Sequence, residues 1–394
     1  MGSSAAQPLR EAGSLPFPES PIGTVNELMP FDHLVVVMME NHSFDNLLGA
    51  LSRTRSDVDG LSFDSAGDAT NSNPGAASTP PQVTAFRLQG TAQSSHVTQS
   101  WKATHQQIDP NRRFLLAGTA YGGTVTGLDT LLDPPPAHGT IFDRLAEQHI
   151  SWGDYFTDVP MTTVIPPIIL EHLDHHHRIG KFFEDCQSGS LPSVSFVDPA
   201  IGAFSSIAAA VASLPTAVKD ALRLIGADFQ DLPPDETEED PHDMYDGELW
   251  AHKVLEAVLR SPSWERTLLI YTYDEHGGYY DHVSPPAAIA PDDIPPKLQP
   301  GDPAGGYTMY GPRVPAVVVS PYSRPAGVSS EVHDHTSVLA TIEHKWNLPA
   351  LTKRDANAAT VMGCLDLENA ALLHPPTLQA PSETGPSGPA GTAG

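Results

Sequence analysis

The chain has 394 residues, 40% of them hydrophobic, and its 21 Lys+Arg against 48 Asp+Glu give a formal net charge of −27. That charge excludes nucleic acid and anionic membrane as electrostatic partners, and it requires any bound phosphate to be neutralised locally, which favours a bound cation. Two cysteines, Cys186 and Cys364, are too few for a disulfide framework, and an α/β enzyme of this length often forms one large domain.

Residues 1–30 are rich in Pro, Ser and Gly without periodicity and read as a flexible leader lying over the surface. This segment shows neither a twin-arginine pair nor a long apolar h-region, which leaves the compartment open. The longest apolar run, Leu34 to Met39, is far below the ~20 residues that cross a bilayer, so a soluble protein without a transmembrane segment is expected. That β-branched run predicts a buried parallel strand, with Ser43 opening a short helix. Glu40 and Asn41 then sit at the strand's carboxyl end.

Residues 57–95 read as a long polar loop, followed by His96 and His105 on either side of Trp101. Asp109 to Ala120 predicts a turn, a short helix and a glycine stop. His138 to His149 has helical spacing with Thr140 as N-cap. Strands are expected over Trp152 to Val159 and Val194 to Asp198. Between them His175-His-His177 is either a metal tract or, the better reading, a solvated helix face. An amphipathic helix, Ser205 to Ile225, precedes an acidic loop at residues 235–240. Helix Glu248 to Leu259 and strand Thr267 to Tyr273 follow. Val314 to Ser320 reads as another buried strand, and a helix follows His333-Asp-His-Thr-Ser337 with Val338, Ile342 and Trp346 inward. The Pro285 to Gly306 stretch has the composition of a pocket lid. One folded domain is expected over residues 31–370, with 371–394 a disordered Pro/Gly/Ser-rich tail.

The densest chemistry lies where the apolar run Leu268 to Tyr273 ends in Asp274-Glu-His-Gly-Gly-Tyr-Tyr-Asp-His282. Glu40, Asn41, Asp274 and Glu275 are hard oxygen donors delivered by two strand ends. His96, His242, His276, His282, His333 and His335 could bind phosphate oxygens or move protons. Together they suit metal-assisted phosphoryl transfer, and the absence of a Gly-rich phosphate loop disfavours a nucleotide-dependent kinase.

Four stretches, Met38-Met-Glu-Asn-His-Ser-Phe-Asp45, Thr272 to His282, Gly311-Pro-Arg-Val-Pro-Ala and Asp334-His-Thr-Ser337, closely resemble the phosphoesterase family of bacterial-type phospholipases C and acid phosphatases. The resemblance implies an alkaline-phosphatase-like α/β fold, a three-layer sandwich with a mostly parallel central sheet flanked by helices. It also implies hydrolysis of a phosphate ester, a phospholipid or a monoester. It makes Glu40, Asn41, Asp274 and Glu275 ligands of a divalent cation, and has His242 and His335 contact the phosphoryl group or act as acid, with His96 or His105 assisting. His276, His282 and His105 are expected on the substrate side. The family's nucleophile is a Thr or Ser two residues before the Pro of a Thr-x-Pro-Asn-Arg motif, and here that motif reads Ile108-Asp-Pro-Asn-Arg112. Isoleucine has no nucleophilic atom. Either a nearby hydroxyl among Thr104, Thr119, Thr124 and Thr126 substitutes, or the chain is a pseudoenzyme, or it is a shortened form of a longer enzyme.

Overall fold

The computed structural model describes residues 8–74, 82–84, 108–124, 136–200, 214–227, 244–298 and 306–382. Its centre is a six-stranded sheet in which β1 (His33–Met39) lies between β6 (Val194–Asp198) and β7 (Thr267–Tyr273). Outside β6 come β4 (Trp152–Phe156) and the short β5 (His176–Arg178), and outside β7 comes β8 (Ala316–Val319). A two-stranded pair, β2 (Ser72–Pro74) and β3 (Gln82–Thr84), lies within the expected polar loop. All central pairings are parallel except β7 with β8.

The unbroken apolar run of β1 follows from burial on both faces. Leu34, Val36 and Met38 join one core cluster and Val35, Val37 and Met39 the other, the alternation a pleated strand imposes. Against the first face pack α2 (Ile108–Ala117), α3 (Ile141–Glu147) and α8 (Thr336–Trp346) through Leu115, Leu116, Phe142, Leu145, Val338, Ile342 and Trp346. Against the second pack α5 (Ile179–Ser188) and α7 (Met244–Leu259) through Phe182, Val254 and Val258. Each such side chain removed from water contributes about 1.5–3 kcal/mol, which makes these two clusters the main source of stability. The result is a three-layer α/β sandwich. Shorter helices α1 (Phe44–Leu47), α4 (Pro166–Glu171), α6 (Thr216–Leu224) and α9 (Lys353–Asn357) fill the periphery.

Local signals act as the residues dictate. Ser43 caps α1, accepting from Asn46 N–H at 3.1 Å, and Thr140 with Asp143 forms a capping box on α3. Gly118, at φ +71°, ends α2 in a conformation that a side chain would strain against Thr352 and Asp355.

Two expectations need correction. β8 is a half-exposed antiparallel edge strand rather than a buried one, with Val317 46% exposed. His175 closes a 3-10 turn and His176 enters β5 buried, so the histidine tract is no solvated helix face. Residues 8–29 and 371–382, where described, hydrogen-bond to the domain. Gly13 N–H donates to Ala350 O and Ala350 N–H to Ser14 O, and the Asn347 side chain donates to the carbonyls of Phe17, Ser20 and Pro21 at 2.9–3.1 Å while accepting from Phe17 N–H. At the other end, Trp264 donates to Leu372 O and Arg260 to Thr377 across the back of α7. Of the expected helix over 205–225, the described part is α6; the acidic loop at 235–240 lies outside the described residues.

The buried Asn347 adopts φ +44°, so Asn347→Gly keeps the backbone and removes only the clamp. We expect it to cost about 2–3 kcal/mol and to expose residues 8–29 to thermolysin before the sheet is cut, which limited proteolysis with mass spectrometry will read.

Candidate active site and metal centre

Three adjacent parallel strands finish in carboxylates. Glu40 and Asn41 follow β1, Asp198 ends β6, and Asp274 and Glu275 follow β7. Strand pairing holds their ends level, with Met39 opposite Tyr273 and Asp274 N–H bonded to Met39 O at 3.1 Å. Glu40 and Asp274 are fully buried, and an isolated carboxylate there would cost several kcal/mol.

The compensating charge is Arg112, in the second turn of α2. Its guanidinium sits 3.1 Å from Glu40 Oε1, 3.1 Å from Asp274 Oδ2 and 3.4 Å from Asp198 Oδ1. Burial works against the charge, but Asp274, Glu40 and Asp198 outweigh it and hold the Arg112 pKa above its usual value. The second oxygen of Asp198 accepts from Met161 N–H at 3.1 Å. Burial, then the neighbouring Asp154 carboxyl, raises Asp198 well above the ordinary carboxylate range, while burial pushes Asp154 up to about 6. Two like carboxyls this close retain a proton between them. Asp154 accepts from the Thr162 hydroxyl at 2.7 Å, and that hydroxyl lies 2.9 Å from Nε2 of His176, whose pKa burial pushes down to about 4.

The donor types suit a hard divalent cation. Asn41 Oδ1 is buried without a hydrogen bond among the described residues. Burial, opposed by the Gly277 N–H bond at 2.9 Å and reinforced by Glu40, pushes the Glu275 carboxyl up to about 7. The guanidinium, however, is seated between Glu40 and Asp274. Among the described residues, the acidic and histidine groups that bring three donor atoms within 4.8 Å of one another are Asp45, Asp281 and His282, and Asp143, Glu171 and His172. Glu40, Asp274 and Glu275 do not form such a group, so a cation there must draw the carboxylates in around Arg112.

The histidines divide. His335 immediately precedes α8, and its Nε2–H donates to Tyr273 O at 3.0 Å, since a carbonyl can only accept. Burial first, and Arg112 nearby, lower its pKa and keep it neutral at neutral pH. His276 Nδ1–H likewise donates to Tyr279 O at 3.1 Å. His282 faces Asp45 at 2.7 Å and Asp59 at 3.2 Å, and its hydrogen bonds join it to Arg313 rather than to the Arg112 cluster. His96, His105 and His242 lie outside the described residues, as do Thr104 and Thr126. Thr119 and Thr124, the described candidates for a replacement hydroxyl, bond instead to Asp292 and Lys297 O in the loop after residue 283.

Arg112 and Asp198 escaped the sequence reading as site residues. Asp198 carried the same signal as Asp274, an acid at the end of an apolar strand. Arg112 stood four residues beyond Ile108 in a motif read only for its missing nucleophile.

The pH response of Glu275 can be measured without a metal. Its folded pKa, about 7, lies above the unfolded value near 4.5, so the folded state binds more protons between those limits. Stability is therefore full below the unfolded pKa and declines as pH rises toward 7, by on the order of 3 kcal/mol. Glu275→Gln should flatten that decline in urea titrations of chelator-treated protein between pH 5 and 8.

Comparison with known proteins adds an independent finding. A family model described as the Phosphoesterase family matches residues 31–109 and 109–349. Non-specific phospholipase C6 of Arabidopsis thaliana is 33% identical over 266 residues, covering 64% of this chain and 45% of its own. Non-specific phospholipase C1 of the same plant is 27% identical over 402 residues, covering 84% and 70%. The non-hemolytic phospholipase C of Pseudomonas aeruginosa is 27% identical over 285 residues, covering 61% and 35%. The chain spans about half the length of four of the curated relatives it matches, the non-specific phospholipases C3, C4, C5 and C6.

Proposed function

The chain belongs to the Phosphoesterase family, and from that premise we propose that it hydrolyses phosphate esters with a divalent cation, the substrate being a phospholipid headgroup diester, as the names of its phospholipase C relatives suggest, or a monoester. The observation that supports this reading best is the meeting of Glu40 and Asp274 at one buried cationic point.

Glu40, Asn41, Asp274 and Glu275 would hold the cation, which when bound supplies Lewis-acid polarisation of a phosphoryl oxygen. Arg112 is paired with Glu40, Asp274 and Asp198, so in a protein of net charge −27 the local neutralisation a phosphate needs falls to the cation. His335, which gives its Nε2–H to the Tyr273 carbonyl, would meet the phosphoryl group through Nδ1, which in the neutral ring accepts a proton or a hydrogen bond. His242 is proposed as its partner in proton transfer to the leaving alkoxide, with His96 assisting and His276 and His105 on the substrate side.

A second reading, a pseudoenzyme of the same fold, is favoured by Ile108 at the nucleophile position. One assay separates the two. Purified protein is given p-nitrophenyl phosphate or phosphatidylcholine with magnesium, calcium, manganese or zinc. Metal-dependent turnover supports the enzyme, and Ile108→Thr should then raise it by about 10²-fold or more, because a covalent route becomes available. Turnover by neither protein with any ion leaves the pseudoenzyme reading.

A further inference from the structure

The second three-donor group shares no residue with the Arg112 cluster and includes the C-terminal end of α4. We propose that Asp143, Glu171 and His172 bind a divalent transition ion of the zinc, cobalt or nickel class, independently of the Glu40 and Asp274 centre.

The three donor atoms lie within 4.8 Å of one another and come from two elements, Asp143 from α3 and Glu171 with His172 from the end of α4. Asp143 is aimed. Its Oδ2 is occupied by the N–H and hydroxyl of Thr140, at 2.6 and 2.9 Å, which turns Oδ1 toward His172. Oδ1 stands 3.8 Å from His172 Nε2. That is too long for a hydrogen bond and a few tenths of an ångström more than the ~3.3–3.6 Å between tetrahedral ligands with bonds of about 2.0–2.2 Å, so an ion would draw the two slightly together. His172 Nε2 is buried and makes no hydrogen bond among the described residues. The ring itself is fixed, standing edge-on to Trp152 with centroids 5.3 Å apart.

Charge compensation separates this group from its counterpart. Asp45, Asp281 and His282 already hold a cation, Arg313, at 3.0 Å from Asp281 and 3.3 Å from Asp45. No Lys or Arg among the described residues is within 4.0 Å of the Asp143 or Glu171 carboxylate; the adjacent Arg144 turns away to His138 O and Glu147. One imidazole and two carboxylates match a borderline ion rather than calcium or magnesium, with water completing the coordination. Glu171 is exposed and free to swing onto the ion, while Asp143 and His172 are already set.

Trp152 supplies the probe. Chelator-treated full-length protein titrated with cobalt or nickel should show saturable quenching of tryptophan fluorescence that Trp152→Phe removes. Asp143→Asn keeps an acceptor for Thr140, and both it and His172→Gln should weaken the quenching about 10–100-fold. Asp274→Asn, which alters the other centre, should leave it unchanged. Calorimetry reads the same binding without fluorescence. Equal binding by wild type, Asp143→Asn and His172→Gln overturns the site, as does quenching lost only with Asp274→Asn. Should His172→Gln fail to fold, Asp143→Asn decides alone.

Discussion

Arg112→Met will lower the stability of the protein by about 3–5 kcal/mol, the cost of leaving buried carboxylates without their cation. Methionine keeps much of the length and apolar volume of the side chain, so the loss reports charge rather than a cavity. Glu40 and Asp274 then sit buried without their cation, and desolvation and mutual repulsion raise their folded pKa values above the unfolded ones, where Asp198 already stands. The sign follows: the deficit is greatest at high pH and shrinks as the solution is acidified toward pH 5. A saturating divalent cation should return part of the loss, because it neutralises the same oxygens. Thermal melts at pH 5 and pH 8, with and without magnesium or calcium, read all three effects. A variant as stable as the parent at pH 8 would show that these carboxylates do not depend on Arg112.

Glu40→Gln and Asp274→Asn will each lower metal-dependent ester turnover by about 10²–10⁴-fold, since several kcal/mol of charge stabilisation pass through the cation they hold. Each amide keeps one oxygen to accept from Arg112, so the fold should survive, and a melting curve recorded beside the assay verifies it. The Ile108→Thr background is the place to measure if the parent is too slow. Calorimetry gives a second readout, in which cation affinity falls with turnover. Unchanged turnover and unchanged affinity in both variants would remove these residues from the proposed metal centre.

Much of the framework was legible in the chain. Leu34 to Met39 is apolar at every position and Leu268 to Tyr273 at all but Thr272, and only a strand covered on both faces uses such a run, so β1 and β7 and the acids after them followed directly. Thr140 and Ser43 announced their helices by hydrogen bonds that a short polar side chain makes with its own neighbours. Position in a sheet is different information. Val314 to Ser320 is as apolar as a central strand, but β8 ends the sheet, because nothing in its composition states how many strands lie beyond it. The tail and leader read as loose since Pro, Gly and Ser carry no periodicity. What fixes them is supplied from elsewhere, by Asn347, Trp264 and Arg260. The Arg112 cluster was half legible for the same reason. Each acid could be found at its strand end, but which cation reached them depended on how α2 crosses the sheet.

That crossing has a consequence for assembly. Arg112 reaches 72 positions back to Glu40, 86 forward to Asp198 and 162 forward to Asp274. Contacts so distant in sequence close late, after much loop entropy has been spent. A nascent chain therefore carries an unbalanced electrostatic knot until the strand before Asp274 has emerged from the ribosome and docked, so stalled fragments ending short of it should be prime targets for chaperones.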